Sequence, residues 1–115
     1  MSDRFAKTPE PPYYAVMFTN QASSDAAGYS KMADLMVELA AKQPGFLGVE
    51  SVRDETGFAI TIFYWQDEES IASWKANSLH LGAQKQGMKR WYEHYELRVA
   101  KIERAYSGPE GRELG

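Results

Sequence analysis

The 115-residue chain contains no cysteine and only two histidines, and each shortage removes a class of chemistry. Without cysteine there is no disulfide, no thiolate nucleophile, no Cys-ligated zinc and no iron–sulfur cluster. With only His80 and His94, a histidine-rich metal centre within one chain is not expected, so the reading is metal: none. No run of about 18 apolar residues is present, which argues against a membrane-spanning helix. Charge of one sign is also scarce in any one place. The net charge is -3 and the single basic concentration, Lys85, Lys89 and Arg90, is interrupted by Gln86, Gly87 and Met88. That pattern describes a solvated helix end and not a nucleic-acid footprint. Met1 to Pro12 has charges and prolines but no apolar core, so it does not read as a secretory signal, and a cytoplasmic protein is the expectation.

Aromatic residues, by contrast, are plentiful at 13%, enough for a dense core or for a core plus a buried interface. Length fits one domain. Pro9, Pro11 and Pro12 mark residues 1–12 as a tail, Ser107 to Gly115 is rich in glycine and charge, and the folded body is 13–106.

Tyr13 to Thr19 is an apolar, β-branched and aromatic run bounded by Pro12 and by Asn20–Ser24, and reads as a first strand. A helix follows, capped by Ser24 or Asp25, with Tyr29, Met32, Ala33, Met36 and Ala40 at helical spacing; it stops near Gln43, before Pro44 and Gly45. Phe46–Arg53 and Phe58–Trp65 are two strands joined by the tight Asp54-Glu55-Thr56-Gly57 turn. The second of these is apolar almost throughout, which predicts burial on both faces. Asp67 caps a second helix, with Glu68 and Glu69 in its first turn and Ile71 and Trp74 on one side. Asn77-Ser78 reads as a break, with a further helical piece from about Leu79 to Lys89. Tyr92 to Tyr106 reads as a long last strand.

The order β-α-β-β-α-β is the ferredoxin-like α+β pattern: a four-stranded antiparallel sheet with both helices on one face. Two helices on one face leave the other uncovered, and a third strand apolar on both sides needs a cover there. A second copy meets that need through an isologous interface, so a homodimer is expected.

Several local features go beyond this pattern: Phe18-Thr19-Asn20 on strand one, Gln43-Pro44-Gly45-Phe46-Leu47-Gly48 entering strand two, and Tyr64-Trp65-Gln66-Asp67-Glu68-Glu69-Ser70-Ile71 leaving strand three. Trp74-Lys75-Ala76-Asn77, His80-Leu81-Gly82-Ala83-Gln84 and Trp91-Tyr92 complete the series. In this order they resemble the antibiotic biosynthesis monooxygenase (ABM) family of dimeric α/β barrels, over about Tyr13 to Tyr106. The resemblance implies a cofactor-independent monooxygenase, with cofactors none, that acts on a small aromatic or quinol-like compound. It also implies site roles: His80 as proton acceptor, Trp74 and Trp91 as aromatic walls, and Asn20 and Gln84 as polar contacts to substrate.

Each assignment has a structural alternative. Trp74 fits a core position, His80 a turn cap, Asn20 the end of a strand, and His94 a simple hydrogen bond beside Tyr92, Glu93 and Tyr95. Tyr64 and Trp65 suit core or interface packing, and Arg98 and Arg104 suit interface salt bridges. The haem-degrading branch of the family pairs a helix Trp with an axial His about ten residues later. Ten residues after Trp74 this chain has Gln84, a poor axial ligand, and His80 follows Trp74 by only six. A non-catalytic dimeric module that binds a small ligand or serves a stress response remains the alternative to an enzyme.

Overall fold

A computed structural model describes residues 4–24, 29–80 and 92–109, without the side chains of 29–33 and 78–80. Its elements are β1 (Tyr13–Ala22), α1 (Tyr29–Ala41), β2 (Phe46–Arg53), β3 (Phe58–Trp65), α2 (Glu68–His80) and β4 (Tyr92–Ile102). The strands form one antiparallel sheet in the order β2-β3-β1-β4, the ferredoxin-like arrangement.

The core lies between the sheet and the helices. Val16 on β1 pairs with Phe63 on β3, so both point to the same side, and there they meet Trp65, Ala40 of α1, and Ile71 and Trp74 of α2. Phe46 and Val49 pack against this cluster from β2. Trp74 is tilted against Phe63 at 4.8 Å and against Trp65 at 5.3 Å between ring centroids, and Phe46 meets Trp65 edge-on at 5.5 Å. Trp65, fully buried, is the hub of this aromatic stack.

One turn and one helix cap hold the frame in register. Gly57 closes the β2–β3 hairpin at φ +89°, a conformation other residues rarely adopt. Asp54 stabilises the same turn by accepting from the Thr56 hydroxyl and from the backbone N–H groups of Thr56 and Phe58. At the start of α2, the Asp67 carboxylate accepts from the backbone N–H of Ser70 at 2.8 Å and its hydroxyl at 2.7 Å, a true N-cap. The Ser70 hydroxyl is the first reason the Asp67 pKa lies below the ordinary carboxylate range, and the Ser70 N–H is the second. A lowered folded pKa contributes stability that is present above the unfolded value and lost as pH falls through the folded one. Acid titration of thermal stability should therefore show the wild type losing an increment below about pH 4 that Asp67→Asn lacks. Parallel curves for the two proteins would contradict the cap's contribution.

Three sequence expectations change. α2 runs unbroken through Asn77 and Ser78 to His80, because Asn77 satisfies its side chain on the Gln43 side chain (2.8 Å) and does not compete with the helix backbone. The helical piece expected to Lys89 lies outside the described residues beyond His80. β4 ends at Ile102, four residues before Tyr106, where its partner strand β1 begins at Tyr13 and pairing runs out. β1 extends three residues further than expected, to Ala22, held by Ala22 N–H to Gly57 O at 3.0 Å and by the Gln21 amide on Thr56 O at 2.8 Å.

The sheet face turned away from the helices is open over its β2–β3 half. Ile60, Phe58 and Val52 remain exposed there, so the two-sided apolarity of β3 is not matched by burial within one chain. The other end of the same two strands, around Gly48, Glu50 and Tyr64, is covered by residues 4–12, which have no regular secondary structure but are tied to the sheet. Ala6 N–H donates to Glu50 at 2.9 Å and the Thr8 hydroxyl to the Tyr13 hydroxyl at 3.0 Å. Among the described residues no helix is long and apolar enough to cross a membrane.

Candidate functional site

The extension of β1 changes the status of Asn20. It does not end the strand; it pairs with Ala59 of β3 on one side and Tyr95 of β4 on the other. Its parity matches Val16, so its side chain belongs to the helix-facing side of the sheet, and it is only 3% exposed. A buried amide is costly unless hydrogen-bonded, and Asn20 is the one buried amide among the described residues.

Its surroundings are aromatic. Phe18, two residues earlier on the same face, meets Tyr92 edge-on at 5.4 Å and Tyr95 at 5.5 Å. Tyr92 and Tyr95 meet each other at 5.8 Å, completing a triad of rings beside Asn20. Tyr92 is buried while Tyr95 is 41% exposed, so the triad runs from the interior to the surface. Across the sheet, Thr61 pairs with Phe18, and its hydroxyl shares a 2.7 Å hydrogen bond with Ser51. One buried amide, three rings packed edge-on against one another and a hydroxyl pair are gathered on this part of the sheet.

Neither tyrosine was singled out as a site residue from sequence. The signal was present in the Tyr92-Glu93-His94-Tyr95 stretch, but strand alternation would put Tyr92 and Tyr95 on opposite faces. A register irregularity between Gln21 and Ala22 of β1, opposite this stretch, is what lets both reach Phe18.

Trp74 lies 7% exposed in the core cluster, on the same side of the sheet as Asn20. It packs on Phe63, four residues from the Ala59 that pairs with Asn20, a separation of about 13 Å along the strand. His80 closes α2, and its side chain is outside the description. Gln84 and Trp91 lie outside the described residues altogether. His94 is on the opposite face, 73% exposed, and hydrogen-bonded to Glu96 at 2.7 Å. Arg98 sits within β4, whereas Arg104 lies beyond its end, so the two do not share a strand. Among the described residues no group of three or more His, Asp or Glu side chains could hold a metal ion.

Two open recesses are found elsewhere. One of about 490 Å³ is bordered by Lys101, Glu103, Arg104 and Tyr106 at the far end of β4. The other, about 400 Å³, lies on the helix-free side between Phe5 and the β2–β3 strands. Neither contains a residue of the Asn20 group.

Comparison with known proteins bears on this arrangement. The sequence model of a family described as antibiotic biosynthesis monooxygenase matches residues 14–86. The chain is 50% identical over 104 residues to the uncharacterized protein YqjZ of Bacillus subtilis, covering 90% of this chain and 91% of that one. It is 29% identical over 94 residues to a jasmonate monooxygenase of Pyricularia oryzae, covering 77% of this chain but only 43% of that protein. In structure it resembles SnoaB, described as a cofactor-independent oxygenase from Streptomyces nogalater, with a TM-score of 0.69 at 13% identity. That match covers 83% of this chain and 97% of SnoaB. It also resembles PA3566 of Pseudomonas aeruginosa, with a TM-score of 0.66 at 14% identity over 85% of this chain and 99% of that one. At these identities the structural likeness speaks for the fold.

Proposed function

The chain belongs to the antibiotic biosynthesis monooxygenase family, and from that premise we propose that it is a cofactor-independent monooxygenase for a small aromatic or quinol-like compound, working as a homodimer. The observation that carries the reading is the buried amide of Asn20 beside the Phe18, Tyr92 and Tyr95 rings. A neutral amide N–H in a water-poor, aromatic setting stabilises negative charge on a ring oxygen, and it does so more strongly than the same donor in water.

The chemistry follows from that placement. An activated aromatic such as an anthrone carries a CH₂ group acidified by its neighbouring rings and carbonyl. His80, the only histidine of the α2 segment, accepts a proton from this group, and the charge delocalises onto the ring oxygen that Asn20 faces. The electron-rich anion then reduces O₂. One oxygen atom is retained as the new carbonyl, and the other leaves as water with the two hydrogens of the former CH₂. Substrate and O₂ thus balance carbonyl product and water with no further reductant. Gln84 provides a second polar contact and Trp91 an aromatic wall. Trp74 serves from behind, as packing that fixes α2 on the sheet. The family match and SnoaB's description as a cofactor-independent oxygenase support this reading.

The dimer rests on the open, apolar β2–β3 half of the helix-free face. Oxygen consumption with a panel of anthrones and hydroquinones tests the whole proposal. His80→Ala should reduce uptake to background while leaving the circular dichroism spectrum and the oligomeric state unchanged. Full turnover in that variant would remove His80 from the mechanism. The absence of uptake with every substrate, accompanied by saturable binding, would favour a non-catalytic ligand-binding module.

A further inference from the structure

The segment before β1 precedes the stretch matched by the family model, which begins at residue 14. Residues 4–8 lie across the helix-free face of the sheet and are fastened there at successive points. Ala6 donates its N–H to one oxygen of Glu50 at 2.9 Å, and the Tyr64 hydroxyl donates to the other at 2.8 Å. Thr8 donates to the Tyr13 hydroxyl at 3.0 Å, and Tyr13 stacks edge-on with Tyr64 at 5.9 Å. Gly48 provides the seat: a Cβ at that position would lie 2.8 Å from the Cβ of Ala6, closer than real Cβ contacts come. The Tyr13 and Ala15 side chains on this face are correspondingly buried, at 5% and 3%.

Phe5 is the exception. It adjoins the anchored Ala6 yet is 73% exposed, so its exposure comes from a held position and not from a fraying end. Phe5 also forms one side of a recess of about 400 Å³ that Arg4, Glu50, Ser51, Val52, Ile60 and Ile62 complete. One patch therefore carries both a protruding ring and an apolar hollow. A ring and a hollow on one patch are what a two-fold contact needs, since such an axis would set each ring against the other copy's hollow. The patch is continuous with exposed Val52, Phe58 and Ile60, the surface on which the dimer proposal above rests.

From this geometry we propose that residues 4–8 form an interface strap and that a second copy of this chain is its partner, with Phe5 of each copy entering the Val52–Ile60–Ile62 recess of the other. The inference rests on the dimer reading but assigns a separate element to it. Glu50, Tyr64 and Gly48 are positioning residues that hold the strap in place, and Phe5 makes the contact.

Sedimentation equilibrium on the full-length protein tests it. Wild type should be dimeric at micromolar concentration. Phe5→Asp should weaken the dimer at least tenfold without altering the far-ultraviolet circular dichroism, since the residue is exposed within one chain. Gly48→Val, which expels Ala6 from its seat while suiting a strand, should weaken it similarly through a different position. If wild type is dimeric and both variants dimerise within twofold of it, the strap proposal is overturned and the dimer reading stands. A monomeric wild type would overturn both.

Discussion

Replacing Gly45 with alanine is expected to destabilise the fold by about 2–5 kcal/mol. Two independent causes add. Gly45 has φ +88°, a left-handed conformation that costs a residue with a Cβ about 1–3 kcal/mol. The new Cβ would also collide with the Ser70 side chain, whose Cβ is 2.7 Å away and whose hydroxyl is closer still. Ser70 has little room to retreat, because it is buried and its hydroxyl is engaged by Asp67. Gly45 O moreover accepts the Gln66 N–H at 2.8 Å, joining the α1–β2 turn to the start of α2. The turn and the helix cap are therefore one unit. Denaturant titration of Gly45→Ala, Ser70→Gly and the double variant separates the terms. The double variant should recover the collision cost and retain the backbone cost. Equal losses in Gly45→Ala with and without Ser70→Gly would show that backbone strain alone is responsible.

The second large effect concerns activity. If Asn20 donates to the developing oxyanion, Asn20→Ala should lower the turnover number by about 10²–10³, the usual result of losing one such donor. The accompanying stability cost is about 1–3 kcal/mol, because the partner of a buried amide loses its bond. Asn20→Asp distinguishes the two roles. It keeps size and shape but replaces the N–H donor with an acceptor, and burial raises the pKa of a carboxyl there. Its activity should be lower than that of Asn20→Ala at neutral pH, where a charged carboxylate repels the anion. Below the raised pKa the carboxyl is protonated and can donate, so the ratio of Asp to Ala variant activity should rise as pH falls. Oxygen-uptake rates measured across pH with a turned-over substrate give this ratio directly. A stability loss with undiminished turnover would make Asn20 a structural residue only.

Much of this architecture was legible from local pattern. β2 and β3 match their expected bounds residue for residue, because Pro44-Gly45 and Asp54–Gly57 punctuate them and a φ-positive glycine stands at each turn. The cap of α2 was readable for the same reason: Asp67 stands just before a helix and needs only the N–H of Ser70 to act. Elements whose limits depend on a distant partner were less legible. Asn77-Ser78 reads as a break until Gln43, far away in sequence, takes the Asn77 amide. β1 appears to end at Thr19 until Gly57 and Thr56 of the hairpin pair with its last residues.

The same division applies to the site. Asn20, Trp74 and His80 could be singled out by type and position, but nothing local distinguishes a strand-end turn amide from a buried functional one. That distinction depends on the neighbours of β1, Ala59 and Tyr95, which are nearly 40 and 75 residues away. The Tyr92–Tyr95–Phe18 triad depends on a register irregularity that strand alternation does not predict. The segment before β1 is a further case: its prolines mark it as lacking regular structure, but its seat on Gly48 and Glu50 exists only once β2 is in place.

By itself, then, the sequence determined the element order, the turns, the helix cap and the apolar character of β3, since these follow from backbone preferences and hydrophobic period within a few residues. Only the tertiary structure decided that Trp74 belongs to the core, that Asn20 is buried among rings and that Phe5 is held exposed. Burial and partnership are properties of distant residues brought together, and no local pattern encodes them.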